Sequence, residues 1–108
     1  MYKLIVTFSV HTFFTINFAL QFFTMSKVQI GLVQMTCSGS KEANLQKAID
    51  KTREAAAKGA QIVCLQELFT SLYFCDVEDY ENFKLAESIP GESTNALSVV
   101  AKELGVVI

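Results

Sequence analysis

Apolar and polar positions follow an order along the chain that predicts a strand, a helix and a second strand. Residues 28–35 carry apolar side chains on both parities, which is typical of a mostly buried strand. From about Lys41 to Lys58, core-type side chains recur at spacings of three and four and form one helical stripe: Leu45, Ala48, Ile49, Thr52 and Ala56. Gly59 suits the left-handed residue that ends a helix. The apolar run 62–65 then predicts another buried strand.

A second unit of the same kind follows. Residues 77–87 are predicted to hold one or two helical turns, with these side chains facing inward: Val77, Tyr80 and Phe83. Ser93 is a candidate N-cap, and the apolar stripe of the next helix is Ala96, Leu97, Val100, Ala101 and Leu104. Gly105 closes that helix, and residues 106–108 begin a third strand. Strand–helix–strand units imply parallel strands with right-handed crossovers, so the predicted fold class is α/β.

Glu67 is the candidate catalytic residue, because the apolar run 62–65 stops abruptly at Gln66-Glu67. In α/β sheets, reactive groups cluster beyond the carboxyl ends of the strands. A carboxylate between apolar neighbours, here Leu65 and the pair Leu68–Phe69, can serve as a proton acceptor near neutral pH. The residues alone leave a second interpretation open, a glutamate that is solvated or paired with a basic side chain.

Charge and composition exclude several classes of function. From Met25 onward the chain has eight Lys and Arg against eleven Asp and Glu. This mild acidity gives no electrostatic footprint for nucleic acid or for an anionic membrane surface. The single histidine, His11, lies in the N-terminal leader, and the cysteines show no metal-like spacing. We therefore predict no structural zinc site.

The three cysteines are Cys37, Cys64 and Cys75, an odd number that fits reduced thiols in a cytoplasmic protein. Cys64 and Glu67 point to opposite faces if the strand continues regularly. Cys75 is the most attractive candidate nucleophile, eight residues after Glu67. A free cysteine is more often a small buried apolar residue than a nucleophile, so we interpret all three as structural.

Residues 1–24 form an apolar leader that contains six of the nine phenylalanines. It lacks a small-residue cleavage site, and polar residues interrupt it, so it is neither a complete secretory signal nor a clean membrane span. We interpret it as a non-native upstream translation, with the natural start at Met25. A signal peptide and a membrane anchor are the alternatives.

From Val28 to Ile108 the order of these patterns resembles the opening of the nitrilase, or carbon-nitrogen hydrolase, superfamily. Within that superfamily, Leu65-Gln-Glu-Leu-Phe69 followed closely by Tyr73-Phe-Cys75 is most similar to the N-carbamoylputrescine amidases. The resemblance implies a four-layer α-β-β-α sandwich. Residues 25–108 would supply the truncated N-terminal portion of that domain, and the full-length protein would form a homo-oligomer.

The resemblance also implies a catalytic set of cysteine, glutamate and lysine. Only the glutamate is carried over, onto Glu67, and the other two are expected beyond Ile108. Tyr73 and Phe74 are expected to line the substrate pocket. The parent enzyme would convert N-carbamoylputrescine and water into putrescine, ammonia and carbon dioxide without a cofactor. The 108-residue chain alone is expected to be inactive.

Two alternatives remain open at this stage. The first is another amidase of the superfamily or a β-ureidopropionase-like enzyme. The second is an inactive, truncated remnant. Four nearby acids could attract the ammonium of an amine substrate, although an acidic run is ordinarily a solvated face. They are Asp76, Glu78, Asp79 and Glu81.

Overall fold

Short parallel strands and two longer helices make up the part of the chain that the structure describes. The computed structural model describes residues 27–108, so the interpretation of residues 1–24 lies outside the described residues. In chain order the elements are β1 (Ile30–Leu32), α1 (Lys41–Ala57), β2 (Ile62–Cys64), a 3₁₀ helix (Tyr80–Leu85) and α2 (Glu92–Leu104).

The strands are parallel, as the pattern predicts. Strand β1 pairs with β2 so that Ile30 lies opposite Ile62. On the other edge of β2, Val107 forms a parallel bridge to Ile62. The Val63 N–H donates to the Val107 carbonyl at 2.7 Å, and the Val107 N–H donates to the Gln61 carbonyl at 2.9 Å. This arrangement confirms the α/β class and places β2 between its two neighbours.

Helix α1 begins and ends where local chemistry allows. The Ser40 side chain accepts a hydrogen bond from the Ala43 N–H at 3.2 Å and caps the first turn. After the helix, Gly59 has φ of 91°, the left-handed conformation predicted for it. The stripe residues Leu45, Ala48 and Thr52 are buried as expected. Crossing from β1 to β2, this helix carries the chain back over the sheet.

Close packing between α1 and the sheet explains the glycine inside β1. A Cβ atom on Gly31 would lie 2.9 Å from the Ala55 Cβ and 3.1 Å from the Ala60 Cβ. Only a residue without a side chain permits this approach. The core beneath consists of Val33, Ala60 and Val63, with Ala55, Leu65 and Val106 packed against it. The core therefore lies between α1 and one face of the sheet.

The opposite face of the sheet stays open within residues 27–108. Leu32 and Val107 are 43% and 62% exposed there, and Cys64 is exposed beside them. The apolar pattern of these strands is typical of a sheet that is covered on both faces. The described part shows an α/β unit, and the four-layer sandwich stays a prediction.

Two local predictions were wrong between β2 and α2. Tyr80 and Phe83 are 88% and 77% exposed and Val77 is also exposed, so these residues do not face a core. The two rings stack on each other instead, with centroids 6.3 Å apart. The N-cap of α2 is Gly91 rather than Ser93, which lies in the first turn.

A carboxylate from outside α2 takes over the capping role. The Ser93 hydroxyl and N–H donate to Glu87 at 2.6 and 2.9 Å, and Lys41 pairs with Glu87 at 3.0 Å. The Ser93 hydroxyl and N–H, followed by the Lys41 ammonium, lower the pKa of Glu87 to about 2. Lys41 also pairs with Glu92 at 2.9 Å, so this network ties the start of α1 to the start of α2.

Acidification should release this network. The pKa of Glu87 in the folded state lies below the ordinary glutamate value of about 4.3 in an unfolded chain. Its stabilisation is therefore fully present above that ordinary value and is lost as the pH falls towards the folded-state pKa. Between about pH 6 and pH 2, urea titrations should show the free energy of unfolding falling by about 1–2 kcal/mol more for the wild type than for Glu87→Gln. An equal fall in both proteins would contradict the role of Glu87.

Candidate active site

Glu67 lies just beyond the carboxyl end of β2, where parallel strands deliver side chains to a pocket. It lines a pocket of about 370 Å³. The other residues that line it are Cys37, Gln66, Leu68, Ser71, Leu72 and Tyr73. Cys37 comes from the segment after β1, and the rest come from the segment after β2. The pocket thus forms between the two loops at one edge of the sheet.

The Glu67 side chain is exposed, and within residues 27–108 it makes no hydrogen bond or ion pair. Its neighbours Leu65, Leu68 and Phe69 are only partly buried. The described residues therefore do not supply the apolar surroundings that the sequence pattern predicts for this carboxylate. An unengaged carboxylate at a pocket wall is nevertheless available to accept a proton from a bound group. The catalytic role of Glu67 stays a prediction.

The side-chain amide of Gln66 joins the two loops beside Glu67. Its Oε1 accepts a hydrogen bond from the Met35 N–H at 2.8 Å. Its Nε2 donates to the Leu68 carbonyl at 3.2 Å and to the Cys37 Sγ at 3.3 Å. Pattern reasoning did not single out this residue, since a glutamine after a strand is common. Its contacts with Met35 and Cys37, in the segment after β1, distinguish Gln66 from an ordinary glutamine after a strand.

A second amide, Asn44, performs a similar task from α1. Its side chain is 2% exposed, and its Nδ2 donates to the Ser38 carbonyl at 2.8 Å and to the Thr70 carbonyl at 3.0 Å. Its Oδ1 accepts from the Ser38 N–H at 2.7 Å. The apolar stripe predicted for α1 did not include Asn44. The signal that could have found it was its position next to the core residue Leu45. This side chain connects the helix to both loops of the pocket.

The two predicted pocket residues lie in different places. Tyr73 lines the same pocket as Glu67 and is 70% exposed. Phe74 lines a neighbouring groove of about 850 Å³ instead. The groove and the pocket share Leu68 and Ser71. The structure therefore brings Tyr73, but not Phe74, to the same pocket as Glu67, and neither role in substrate binding has been tested.

The cysteines occupy three separate positions. Cys37 lines the Glu67 pocket, where its Sγ lies 3.4 Å from the Phe69 carbonyl as a weak donor. Cys64 is exposed on the open face of the sheet, and Cys75 lines the neighbouring groove. The contacts of Cys37 fit the structural role that we predict for it.

Two of the four acids after Tyr73 lie at the neighbouring groove. Glu78 and Asp79 line it. The Asp79 carboxylate also caps the 3₁₀ helix by accepting from the Glu81 N–H at 2.9 Å. Glu81 is ion-paired with Lys84. The groove therefore combines apolar walls with negative charge at its edge.

Two structural observations bear on ligands and on membranes. In the described part of the chain, no three histidine, cysteine or acidic side chains cluster closely enough to hold a metal ion. Neither helix within residues 27–108 has the length and apolar character needed to cross a membrane.

Comparison with known protein families decides the assignment. The carbon-nitrogen hydrolase family model matches residues 29–108, which is well over half of the chain. The chain belongs to the carbon-nitrogen hydrolase family. Within this family assignment, Glu67 falls inside the matched region, and so do all the residues that line its pocket.

Individual relatives of this chain carry two kinds of name. Omega-amidase NIT2-B of Xenopus laevis is 49% identical over 82 residues, which cover 76% of this chain and 28% of the relative. Omega-amidase NIT2 of Homo sapiens is 42% identical over 82 residues, with the same coverage. N-carbamoylputrescine amidase of Arabidopsis thaliana is 41% identical over 83 residues, again 76% of this chain and 28% of the relative.

These matches show the family but not the subfamily that the sequence motif suggests. The chain spans 28% of the length of these relatives. The omega-amidase of Xenopus laevis is more similar to it than the N-carbamoylputrescine amidase of Arabidopsis thaliana is. The substrate and the activity of the complete protein are therefore matters for proposal.

Proposed function

We propose that Glu67 is the general base of an amidase that hydrolyses the C–N bond of a small linear substrate. The observation that carries this proposal is the position of Glu67, an unengaged carboxylate on a pocket wall beyond β2, in a member of the carbon-nitrogen hydrolase family. The family membership supports a small-molecule amide as the class of substrate. The cytoplasmic location and the homo-oligomer expected from the sequence are proposals of the same standing.

Amide hydrolysis without a metal needs a nucleophile, a base and a donor that stabilises the oxyanion. On this proposal Glu67 takes the proton of the nucleophile as the latter attacks the carbonyl carbon. Glu67 then returns that proton to the leaving nitrogen, and ammonia departs. The same carboxylate next deprotonates the water that releases the acyl group. The nucleophile and the oxyanion donor come from the part of the complete protein outside residues 29–108.

A terminal amide is the substrate class that we favour. Two of the relatives named omega-amidase are 49% and 48% identical to this chain. The relatives named N-carbamoylputrescine amidase in Arabidopsis thaliana and Solanum lycopersicum are 41% and 39% identical. We therefore propose that the scissile C–N bond belongs to an amide group at the end of an aliphatic chain.

N-carbamoylputrescine is the second candidate, and a specific observation favours it. The groove next to the Glu67 pocket is lined by Glu78 and Asp79 beside apolar side chains such as Leu68 and Phe74. A four-carbon chain that ends in an ammonium ion would match both the apolar walls and the charge. The motif Leu65–Phe69 followed by Tyr73 supports the same substrate.

A matched set of four compounds tests the proposal and separates the candidates. The first compound is N-carbamoylputrescine, and the second replaces its internal carbamoyl nitrogen by a methylene group, which gives an aliphatic amide. The other two replace the terminal ammonium of each by a methyl group. Ammonia release by the complete gene product is measured for all four.

We expect the amides to be hydrolysed with a kcat/KM about tenfold or more above that of the ureas. A higher kcat/KM for N-carbamoylputrescine than for its amide analogue would instead support N-carbamoylputrescine. A preference for the ammonium within each pair would support a substrate-binding role for the acidic groove. Failure of all four compounds would overturn the proposal of a small linear substrate.

A further inference from the structure

We propose that Gln66 is a positioning residue that fixes where the Glu67 carboxylate lies at the pocket wall. This inference rests on the proposed role of Glu67 as the base. It assigns to Gln66 no contact with the substrate. The function of its amide is to fix the backbone from which Glu67 projects.

The need for such a residue follows from the hydrogen bonds around Glu67. The Val33 N–H donates to the Cys64 carbonyl at 2.8 Å, and the ladder between the strand segments ends there. Within residues 27–108, no backbone–backbone hydrogen bond joins residues 65–69 to the sheet, and Glu67 and Leu68 lie in a turn. The segment that carries Glu67 is therefore held by side chains rather than by the sheet.

Gln66 supplies these missing restraints on both sides of Glu67. Its Nε2 donates to the Leu68 carbonyl at 3.2 Å, which closes a short ring of backbone around Glu67. Its Oε1 accepts from the Met35 N–H at 2.8 Å, which ties this ring to the beginning of the segment after β1. The Nε2 contact to the Cys37 Sγ at 3.3 Å adds a further link to the pocket wall.

The size of the effect should be larger on the reaction than on stability. Each neutral hydrogen bond contributes only about 1 kcal/mol to the free energy of folding. A displacement of about 1 Å in a reacting group, in contrast, can lower a rate by about 100-fold. A restraint on the base therefore affects kcat far more than KM or the unfolding temperature.

The test uses Gln66→Met, which keeps the length of the side chain and removes all three polar contacts. In the complete gene product we expect kcat to fall by about 10- to 100-fold while KM changes by less than about twofold. Gln66→Glu keeps an acceptor for the Met35 N–H but, when ionised, has no donor for the Leu68 carbonyl, so its kcat should be intermediate. Gln46→Met is the matched control and should leave kcat unchanged, because Gln46 lies on the exposed side of α1 and, among residues 27–108, its side chain bonds only Asp50.

Backbone amide hydrogen exchange gives a second readout that does not depend on activity. Exchange of the Met35 N–H, which donates to Gln66, should become about tenfold faster in Gln66→Met and should be unchanged in Gln46→Met. An active wild type whose kcat survives Gln66→Met would overturn the positioning role and leave Glu67 as the base.

An inactive wild type would overturn the proposed function, and exchange would then decide the role of Gln66 by itself. Faster exchange of the Met35 N–H in Gln66→Met would support the restraint on this loop. Unchanged exchange would overturn it.

Discussion

Replacing Glu67 by Gln should abolish hydrolysis and leave the protein folded. Glutamine has the shape of glutamate but cannot take a proton from the nucleophile, so kcat/KM should fall by about 1,000-fold or more. Because the Glu67 side chain is exposed and has no partner within residues 27–108, the free energy of unfolding should change by less than about 0.5 kcal/mol. Ammonia release and urea unfolding measure the two quantities on the same preparation.

Glu103→Gln is the matched control for this substitution. Glu103 is exposed on α2 and pairs with Arg53 at 2.6 Å, away from the pocket. Its replacement should keep kcat/KM within about twofold, because exposed ion pairs contribute little to stability and this one does not touch the pocket. Full activity in Glu67→Gln would remove Glu67 from the mechanism. Loss of activity in both variants would point to a general effect of charge instead.

Replacing Asn44 by Leu should produce the largest loss of stability among the described polar residues. The leucine has the same number of side-chain heavy atoms and the same branching but leaves the Ser38 N–H, the Ser38 carbonyl and the Thr70 carbonyl without their partner. Because Ser38 is exposed and Thr70 is half-buried, water replaces part of the lost bonding, and the free energy of unfolding should fall by about 1–3 kcal/mol. Urea unfolding measures this loss.

Asn95→Leu, on the exposed side of α2, is the matched control. It makes the same chemical change without burial and should alter the free energy of unfolding by less than about 0.5 kcal/mol. A similar small change in Asn44→Leu would show that water replaces the lost partners at Ser38 and Thr70. In that case Asn44 would not be the link between α1 and the loops.

The helices and the parallel strands could be predicted because their signals are local. The stripe through Leu45, Ala48 and Thr52 depends only on helical periodicity, and Gly59 marks the end of α1 through its own conformational freedom. The same reasoning failed for Tyr80 and Phe83. Their spacing fits an inward face, but among the described residues no element packs against that face.

The pocket could be predicted only in part. Glu67 was found because its place after a buried run is visible in the sequence. The sequence did not show that Tyr73 and Phe74 line different cavities, since the path of the backbone decides which cavity each of two adjacent loop residues reaches. The position of Cys37 in the pocket was not predicted either, because it lies 29 residues from Gln66, which donates to its sulfur.

The sequence by itself determined the α/β class, the order of the elements and the identity of the candidate base, because each depends on patterns within one segment. Only the tertiary structure decided which side chains hold the loops around Glu67. Gln66 meets Met35 across 31 residues, and Asn44 meets Thr70 across 26. Contacts of this range depend on strand register and on how closely α1 packs over Gly31, and a hydrogen bond tolerates errors of only a few tenths of an ångström in that arrangement.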